Sequence, residues 1–210
     1  MTFIDETVDE YVHEHTQPAP ELLERLEKYT LENTSNPDML TGRVEGRFLK
    51  LIVQITGVKR ILELGTFTGY SALSMAEALP EDGRLVTLER DPEAKAIAED
   101  YFSQSPYGNK IEIKFGEAME TIKDLDFTPD LVFLDADKDR YPEYYDIIVD
   151  MLNPGGLILI DNSLWGGDVV DPETESAKAI ALMNEKIVAD DRVENVLLTV
   201  RDGIQLVMKK

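Results

Sequence analysis

From Gly57 onward the chain alternates between short apolar runs of strand length and longer stretches with helical spacing. That rhythm restricts the possible fold more than any other feature. The strand-like runs are Arg60–Leu64, Arg84–Leu88, Ile111–Phe115, Leu131–Leu134 and Leu157–Ile160, and helical segments are expected at Ser71–Leu79, Pro92–Phe102, Tyr141–Leu152 and Glu175–Ala189. Strand, crossover helix, strand at this pitch builds a parallel sheet with helices on both faces. Two further strands, Val196–Val200 and Ile204–Met208, flank Arg201-Asp202-Gly203, whose Asp-Gly chemistry predicts a hairpin and an antiparallel final strand. The expectation is a doubly wound α/β fold with a seven-stranded, mostly parallel sheet and an antiparallel C-terminal strand.

Residues 1–40 read differently, as a helical N-terminal extension. Phe3, Val8, Tyr11 and Val12 fall on one face of a short acidic helix, and Leu22, Leu23, Leu26 and Tyr29 repeat at helical spacing after Pro18-Ala19-Pro20. His13 and His15 lie two apart, on different helix faces, and are expected to be ordinary surface histidines. At 210 residues and 43% hydrophobic content, residues 1–210 are expected to bury the core of one domain.

The charge balance removes several function classes. With 42 acidic and 21 basic residues the formal charge is −21, a field that repels nucleic acid and anionic membranes. No apolar run approaches the roughly 20 residues a bilayer requires, and Met1-Thr2-Phe3-Ile4-Asp5-Glu6 lacks the basic start of a signal peptide. A cytoplasmic protein is expected. The absence of cysteine excludes disulfides, thiolate zinc sites and thiol nucleophiles, so any metal must take oxygen or nitrogen ligands.

Oxygen ligands are concentrated at two strand ends. Leu131-Val132-Phe133-Leu134 runs into Asp135-Ala136-Asp137-Lys138, and Leu157-Ile158-Leu159-Ile160 into Asp161-Asn162-Ser163-Leu164-Trp165. In open α/β sheets that edge is where ligands bind, and Asp135, Asp161 and Asn162 together offer two carboxylates and an amide carbonyl to a Mg²⁺-type cation. Asp137 and Asp139 are left out, because four carboxylates exceed what a Mg²⁺ site that keeps waters needs. Trp165 could wall an aromatic substrate or fill core.

A glycine loop, Gly65-Thr66-Phe67-Thr68-Gly69-Tyr70-Ser71, joins the first predicted strand to its helix. Its G-x-x-x-G spacing is not the dinucleotide fingerprint, but the glycines allow close backbone approach to a ligand at the start of a helix. Glu89 ends the next strand, placed to accept hydrogen bonds from ribose hydroxyls. Glu63, at the end of the first strand, would repel a pyrophosphate and favour an ammonium or sulfonium. A nucleoside without a pyrophosphate fits best.

Glu63-Leu64-Gly65-Thr66-Phe67-Thr68-Gly69-Tyr70-Ser71, Leu134-Asp135-Ala136-Asp137-Lys138-Asp139-Arg140-Tyr141 and Asp161-Asn162-Ser163-Leu164-Trp165 resemble the cation-dependent small-molecule O-methyltransferases, the caffeoyl-CoA and catechol O-methyltransferase family. The resemblance runs from about Met39 to the C-terminus and implies a Rossmann-like fold and a homodimer. It implies Mg²⁺, or Mn²⁺ or Ca²⁺ in its place, on Asp135, Asp161 and Asn162, and Lys138 as the catalytic lysine. For S-adenosyl-L-methionine it implies Thr41, Glu63, Gly65, Thr66 and Ser71 around the methionine end and loop, Glu89 on the ribose and Ala118 beside the adenine. Asp135 is counted with this set as well.

Such a site implies a definite reaction. A dication chelating two vicinal phenolic oxygens makes one hydroxyl acidic near neutral pH, and by depressing the pKa of Lys138 allows a neutral lysine to take the proton. The bland reading of Lys138 is an ion pair with Asp137 or Asp139. The acidic start of the chain contrasts with the basic N-terminal region of the plant enzymes that take CoA esters, so a free catechol is expected rather than a CoA thioester. The segment Asp168–Glu175 is shorter than their substrate-lining insertion, and Val196 falls near a carboxylate of the animal enzymes, so those acceptor contacts do not carry over. Two alternatives stand beside this reading: a tRNA hydroxyuridine O-methyltransferase, which would need a local basic patch such as Arg43, Arg47, Lys50, Lys59 and Arg60, and a non-enzymatic nucleoside-binding module.

Overall fold

The structure is a computed structural model and describes residues 4–210; Phe3 lies outside the described residues. Helices α1 (Glu6–Glu14), α2 (Glu21–Asn33) and α3 (Gly42–Thr56) lead into β1 (Arg60–Leu64). Then follow α4 (Tyr70–Ala76), β2 (Arg84–Glu89), α5 (Pro92–Gln104), β3 (Ile111–Phe115), α6 (Ala118–Thr121), β4 (Leu131–Leu134) and α7 (Tyr141–Met151). The chain ends with β5 (Leu157–Ile160), α8 (Glu175–Val188), β6 (Val193–Leu198) and β7 (Ile204–Lys209). The seven strands form a sheet in the order β3-β2-β1-β4-β5-β7-β6. Strand β7 lies antiparallel between β5 and β6, the hairpin the Asp-Gly turn predicts.

Two boundaries differ by three residues from those expected, the others by two at most. Helix α4 ends at Ala76 instead of Leu79, because Pro80 disfavours helical backbone before it. The last turn there tightens through Ala78 N to Met75 O and Leu79 N to Ala76 O. Strand β6 begins at Val193 instead of Val196, since Val193 is buried and registers with Lys209.

The described residues divide into two compact units. One comprises 6–59 and 65–124. In it α2 buries Leu23, Leu26 and Thr30 while Tyr29 stays exposed, and α3 packs along α4. Gly46 makes that packing close: a Cβ there would lie 2.8 Å from both Ser74 Oγ and Tyr70 Cε1. The expected apolar face of α1 is not buried; Val8, Tyr11 and Val12 are all exposed, because this nine-residue helix rests only lightly on α3.

The basic patch imagined for RNA is consumed locally. Arg47 and Lys50 both pair with Glu77, at 2.9 and 2.5 Å. Burial alone would raise the Glu77 pKa, but the two cations hold it below its ordinary value. Lys59 pairs with Asp82, Arg60 with Asp130, and Arg43 donates to the carbonyls of Thr16 and Gln17. These pairs leave little unneutralised charge for a phosphate backbone.

The other unit comprises residues 4–5, 60–64 and 125–210. Its strands β4 and β5 are wholly apolar, as parallel strands covered on both faces must be, and β1 is apolar except for Arg60 and the buried Glu63. Tyr141, Tyr144 and Tyr145 of α7 are buried. Register places Leu64 beside Leu134 and Leu134 beside Ile160, so three strands end level with one another. Among the described residues no helix is long and apolar enough to cross a membrane.

Gly69 is closely constrained by α5. Its φ is +92°, and a Cβ would stand 2.5 Å from Phe102 Cε1 of α5 and 3.2 Å from Ala98 Cβ. Gly69→Ala is expected to destabilise the protein by about 1–3 kcal/mol, from left-handed backbone and overpacking together. Urea unfolding checks this, and an unchanged midpoint would contradict it.

Candidate active site

The glycine loop is built within the first unit. Gly65 (φ +98°) donates its N–H to Leu88 O at 3.1 Å, fastening the loop to β2. Thr66 Oγ1 lies 2.6 Å from Thr87 Oγ1, and Thr30 Oγ1 donates to Thr68 Oγ1 at 2.9 Å, so both loop threonines are satisfied in the interior. Phe67 is in the left-handed region at φ +47°, held there by its N–H bond to Glu89 Oε2 at 2.7 Å. The same carboxylate accepts from Arg90 N and Asp91 N, both at 2.8 Å. Three backbone donors therefore orient Glu89, and a carboxylate has roughly four acceptor positions, which leaves one for an incoming hydroxyl.

Gly116, at φ +146°, donates to Glu89 O at 2.8 Å and so brings the start of α6 to the end of β2. Arg90 and Glu117 pair there at 3.1 Å. The structure thus gathers Gly65, Thr66, Ser71, Glu89 and the turn bearing Ala118. Ser71 is buried in the first turn of α4, Ala118 is half-buried, and Thr41 is buried at the N-terminal edge of α3.

The carboxylate cluster is built within the second unit. Because Leu134 and Ile160 are register partners, Asp135 and Asp161 emerge from adjacent strands at the same level. Asp135 N donates to Leu64 O at 2.9 Å and Asp161 N to Leu134 O at 3.0 Å, extending the ladder to both residues. Glu63 is fully buried on β1 in register with Phe133. Asp161 is 5% exposed, and its Oδ1 has no hydrogen-bond partner. Burial first, then the charge of Asp135, pushes its pKa up to about 6. Asn162, next in the chain, is in the left-handed region at φ +56°, a conformation asparagine tolerates better than most residues.

Lys138 Nζ donates to Asp135 Oδ1 at 2.5 Å and to Tyr141 Oη at 2.7 Å. Its ion-pair partner is Asp135, not Asp137 or Asp139. Burial would lower the Lys138 pKa, but Asp135, Tyr141 and Asp161 outweigh it and hold the amine above its ordinary range. In the chain alone Lys138 is thus an ammonium. Asp137 accepts from Tyr144 Oη at 2.7 Å and Asp139 from Ser176 Oγ at 2.6 Å, so both are engaged in fixing the loop. Trp165 is half-buried at φ +48°, with its N–H on Asn162 O at 3.2 Å.

These residues suit a divalent cation. A buried carboxylate oxygen without a partner costs on the order of 1–3 kcal/mol or more, and two carboxylates with an amide oxygen are the hard donor set such a cation takes. Among the described residues there is no group of three His, Cys, Asp or Glu side chains that could hold a metal ion by themselves. Two residues of this region were not legible as functional. Asp202 appeared only as a turn residue, and Tyr141 only as the last residue of the Leu134–Tyr141 motif and the start of a helix, with no role of its own; the spacing of Lys138 to Tyr141, one helical turn, was the available signal.

A seven-stranded sheet of this order, with a glycine loop after β1 and an acid ending β2, defines a class I methyltransferase architecture. The comparisons make it specific. A family model described as O-methyltransferase matches residues 13–210. Probable caffeoyl-CoA O-methyltransferase 2 of Dictyostelium discoideum is 34% identical over 207 residues, covering 95% of this chain and 90% of that protein. Caffeoyl-CoA O-methyltransferase 2 of Zea mays is 34% identical over 201 residues, covering 89% and 76%. Among solved structures, the SAM complex of the O-methyltransferase TomG from Streptomyces achromogenes superposes with a TM-score of 0.88 at 28% identity, covering 97% of this chain and 96% of that one. An SAH-bound methyltransferase from Podospora anserina gives 0.91 at 28% identity, covering 100% and 98%. The chain belongs to the caffeoyl-CoA O-methyltransferase family and is an S-adenosylmethionine-dependent O-methyltransferase.

The Asp161 carboxyl makes a stability prediction for metal-free protein. Its pKa is raised from 3.8 to about 6, so the fold favours the protonated form. That contribution is complete below about pH 4, falls away as pH rises through 6, and is gone above it. Asp161→Asn removes the titration, so its stability relative to wild type should rise between pH 4 and pH 7 by on the order of 1–3 kcal/mol. Chelator-treated samples unfolded at both pH values provide the check; a pH-independent difference would contradict it.

Proposed function

We propose that this O-methyltransferase depends on a divalent cation, Mg²⁺ or a similar ion such as Mn²⁺ or Ca²⁺, and transfers the methyl of S-adenosyl-L-methionine to a hydroxyl of a free vicinal diphenol. The observation that carries this reading is the unpartnered, buried Asp161 Oδ1 on the strand adjacent to Asp135. Asp135, Asp161 and Asn162 would hold the cation. When bound, such an ion chelates vicinal oxygens and makes a phenolic hydroxyl acidic near neutral pH.

The chain's own residues divide the remaining work. Lys138 receives the hydroxyl proton at Nζ. In the free chain Asp135 keeps that amine charged; once Asp135 is engaged in ligation, the largest charge holding the proton on Lys138 is withdrawn. Tyr141 Oη remains as the second contact, keeping the amine in place. On the donor side Glu89 accepts a ribose hydroxyl through its remaining acceptor position, and Gly65, Thr66 and Ser71 form the loop around the methionine end. Glu63 supplies negative charge toward the sulfonium, Thr41 adds a hydroxyl, and Ala118 lies against the adenine. Methyl transfer needs the sulfonium carbon in line with the attacking oxygen, so much of the acceleration would come from alignment.

The named relatives act, by their names, on caffeoyl-CoA. For this chain the free diphenol is favoured, because a charge of −21 opposes the phosphate-bearing CoA tail. The local pairing of Arg47, Lys50, Lys59 and Arg60 likewise argues against tRNA as acceptor.

Methyl transfer to caffeic acid by EDTA-stripped protein should be restored by Mg²⁺, and caffeic acid should outcompete caffeoyl-CoA in kcat/KM. Full activity in EDTA would refute the cation dependence. Lys138→Arg, which keeps the charge but cannot act as a base, should lower kcat by about 10²–10⁴-fold with KM little changed. A kcat within twofold of wild type would remove Lys138 from proton transfer.

A further inference from the structure

The turn between β6 and β7 makes four hydrogen bonds to the segment that follows β5. Ser163 N donates to Gly203 O and Leu164 N to Asp202 O, both at 2.9 Å. The Asp202 carboxylate adds two more, accepting from Asn162 Nδ2 at 3.3 Å through Oδ2 and from Gly166 N at 2.5 Å through Oδ1. Gly203, at φ +88°, is pressed so close to Leu164 that a Cβ would lie 2.5 Å from Leu164 Cγ. Between these anchors the segment carries left-handed backbone at Asn162, Trp165, Gly166 and Gly167. Non-glycine residues hold such conformations where surrounding contacts over-determine them.

Asp202 is only 9% exposed, and it binds the one side chain of the donor set whose two ends differ chemically. An asparagine can present either oxygen or NH₂ to a cation, and only the oxygen ligates. A carboxylate partner accepts but does not donate, so it selects the rotamer with nitrogen toward itself. We propose that Asp202 is a positioning residue that fixes the Asn162 amide with its oxygen available to the cation and holds the 162–167 segment in its strained course. This role rests on the cation reading above. It goes beyond that reading because Asp202 touches neither cation nor substrate, and outer partners of this kind typically change metal affinity by about 10–100-fold.

The test is a side-chain exchange. In Asp202→Asn the oxygen of residue 202 can still accept from Gly166 N, but its NH₂ then faces Asn162, which must flip and turn its own NH₂ toward the cation. In the double variant Asn162→Asp, Asp202→Asn, the carboxylate at 162 accepts from the amide at 202 and still ligates, with total charge unchanged. Mn²⁺ binding to metal-stripped protein, followed by the loss of the free-ion electron paramagnetic resonance signal, provides a readout independent of activity. Circular dichroism confirms folding.

We expect Asp202→Asn to weaken Mn²⁺ binding by about 10–100-fold and the double variant to recover most of it. Wild-type affinity in Asp202→Asn, or a folded double variant that stays as weak as the single one, would overturn the role of Asp202 while leaving the cation site standing. If Asp202→Asn fails to fold, recovery of both fold and affinity in the double variant supports the role, and recovery of the fold alone overturns it. Absence of Mn²⁺ binding by wild type would overturn the cation reading itself, and this role with it.

Discussion

The register of two parallel strands underlies the chemistry of this protein. Leu134 pairs with Ile160, so the residues that follow, Asp135 and Asp161, leave the sheet side by side where no further strand covers them. Burial raises the cost of charging Asp161, and the neighbouring Asp135 carboxylate raises it further. A folded domain would ordinarily avoid this arrangement. Its persistence is understandable if a dication completes it, because the repulsion in the free chain becomes attraction in the bound one. The strands can end level because β1, β4 and β5 are short and in register with one another.

Around that pair, neighbouring elements supply what a bare carboxylate pair lacks. Lys138 neutralises Asp135 in the free chain and is itself held by Tyr141, one helical turn away. The β6–β7 turn reaches Asn162 and Gly166 through Asp202. Asn184 steadies Ser163 by donating to its carbonyl at 2.8 Å and is itself held by Gln205 at 3.1 Å. The antiparallel end of the sheet therefore helps to shape the loop that carries two of the proposed ligands. In the other unit Glu89 plays a comparable part for the glycine loop, since its bond to Phe67 N holds a residue with unfavourable φ.

Much of this was legible in the chain because the signals were local. The alternation of periods located every strand, the Asp-Gly pair located the hairpin, and the acids expected at strand ends directly follow β4 and β5. What was not legible depended on contacts distant in sequence or on details of packing. Asp202 lies 40 residues from Asn162, and nothing near it in the chain marks the partnership. The ion pair of Lys138 with Asp135, in preference to Asp137 or Asp139, follows from Tyr144 and Ser176 having already engaged the other two acids. The helical pattern of Val8, Tyr11 and Val12 was correct for helix and misleading for burial, because periodicity reports an amphipathic face without saying what covers it.

The central claim is that Asp135, Asp161 and Asn162 form one cation site. Anomalous diffraction at the manganese edge, from crystals grown with S-adenosyl-L-homocysteine and Mn²⁺, addresses it most directly. A single strong peak is expected within bonding distance of both carboxylates and the Asn162 amide oxygen. A buried water on Asp161 Oδ1 with no anomalous density beside it would contradict the account.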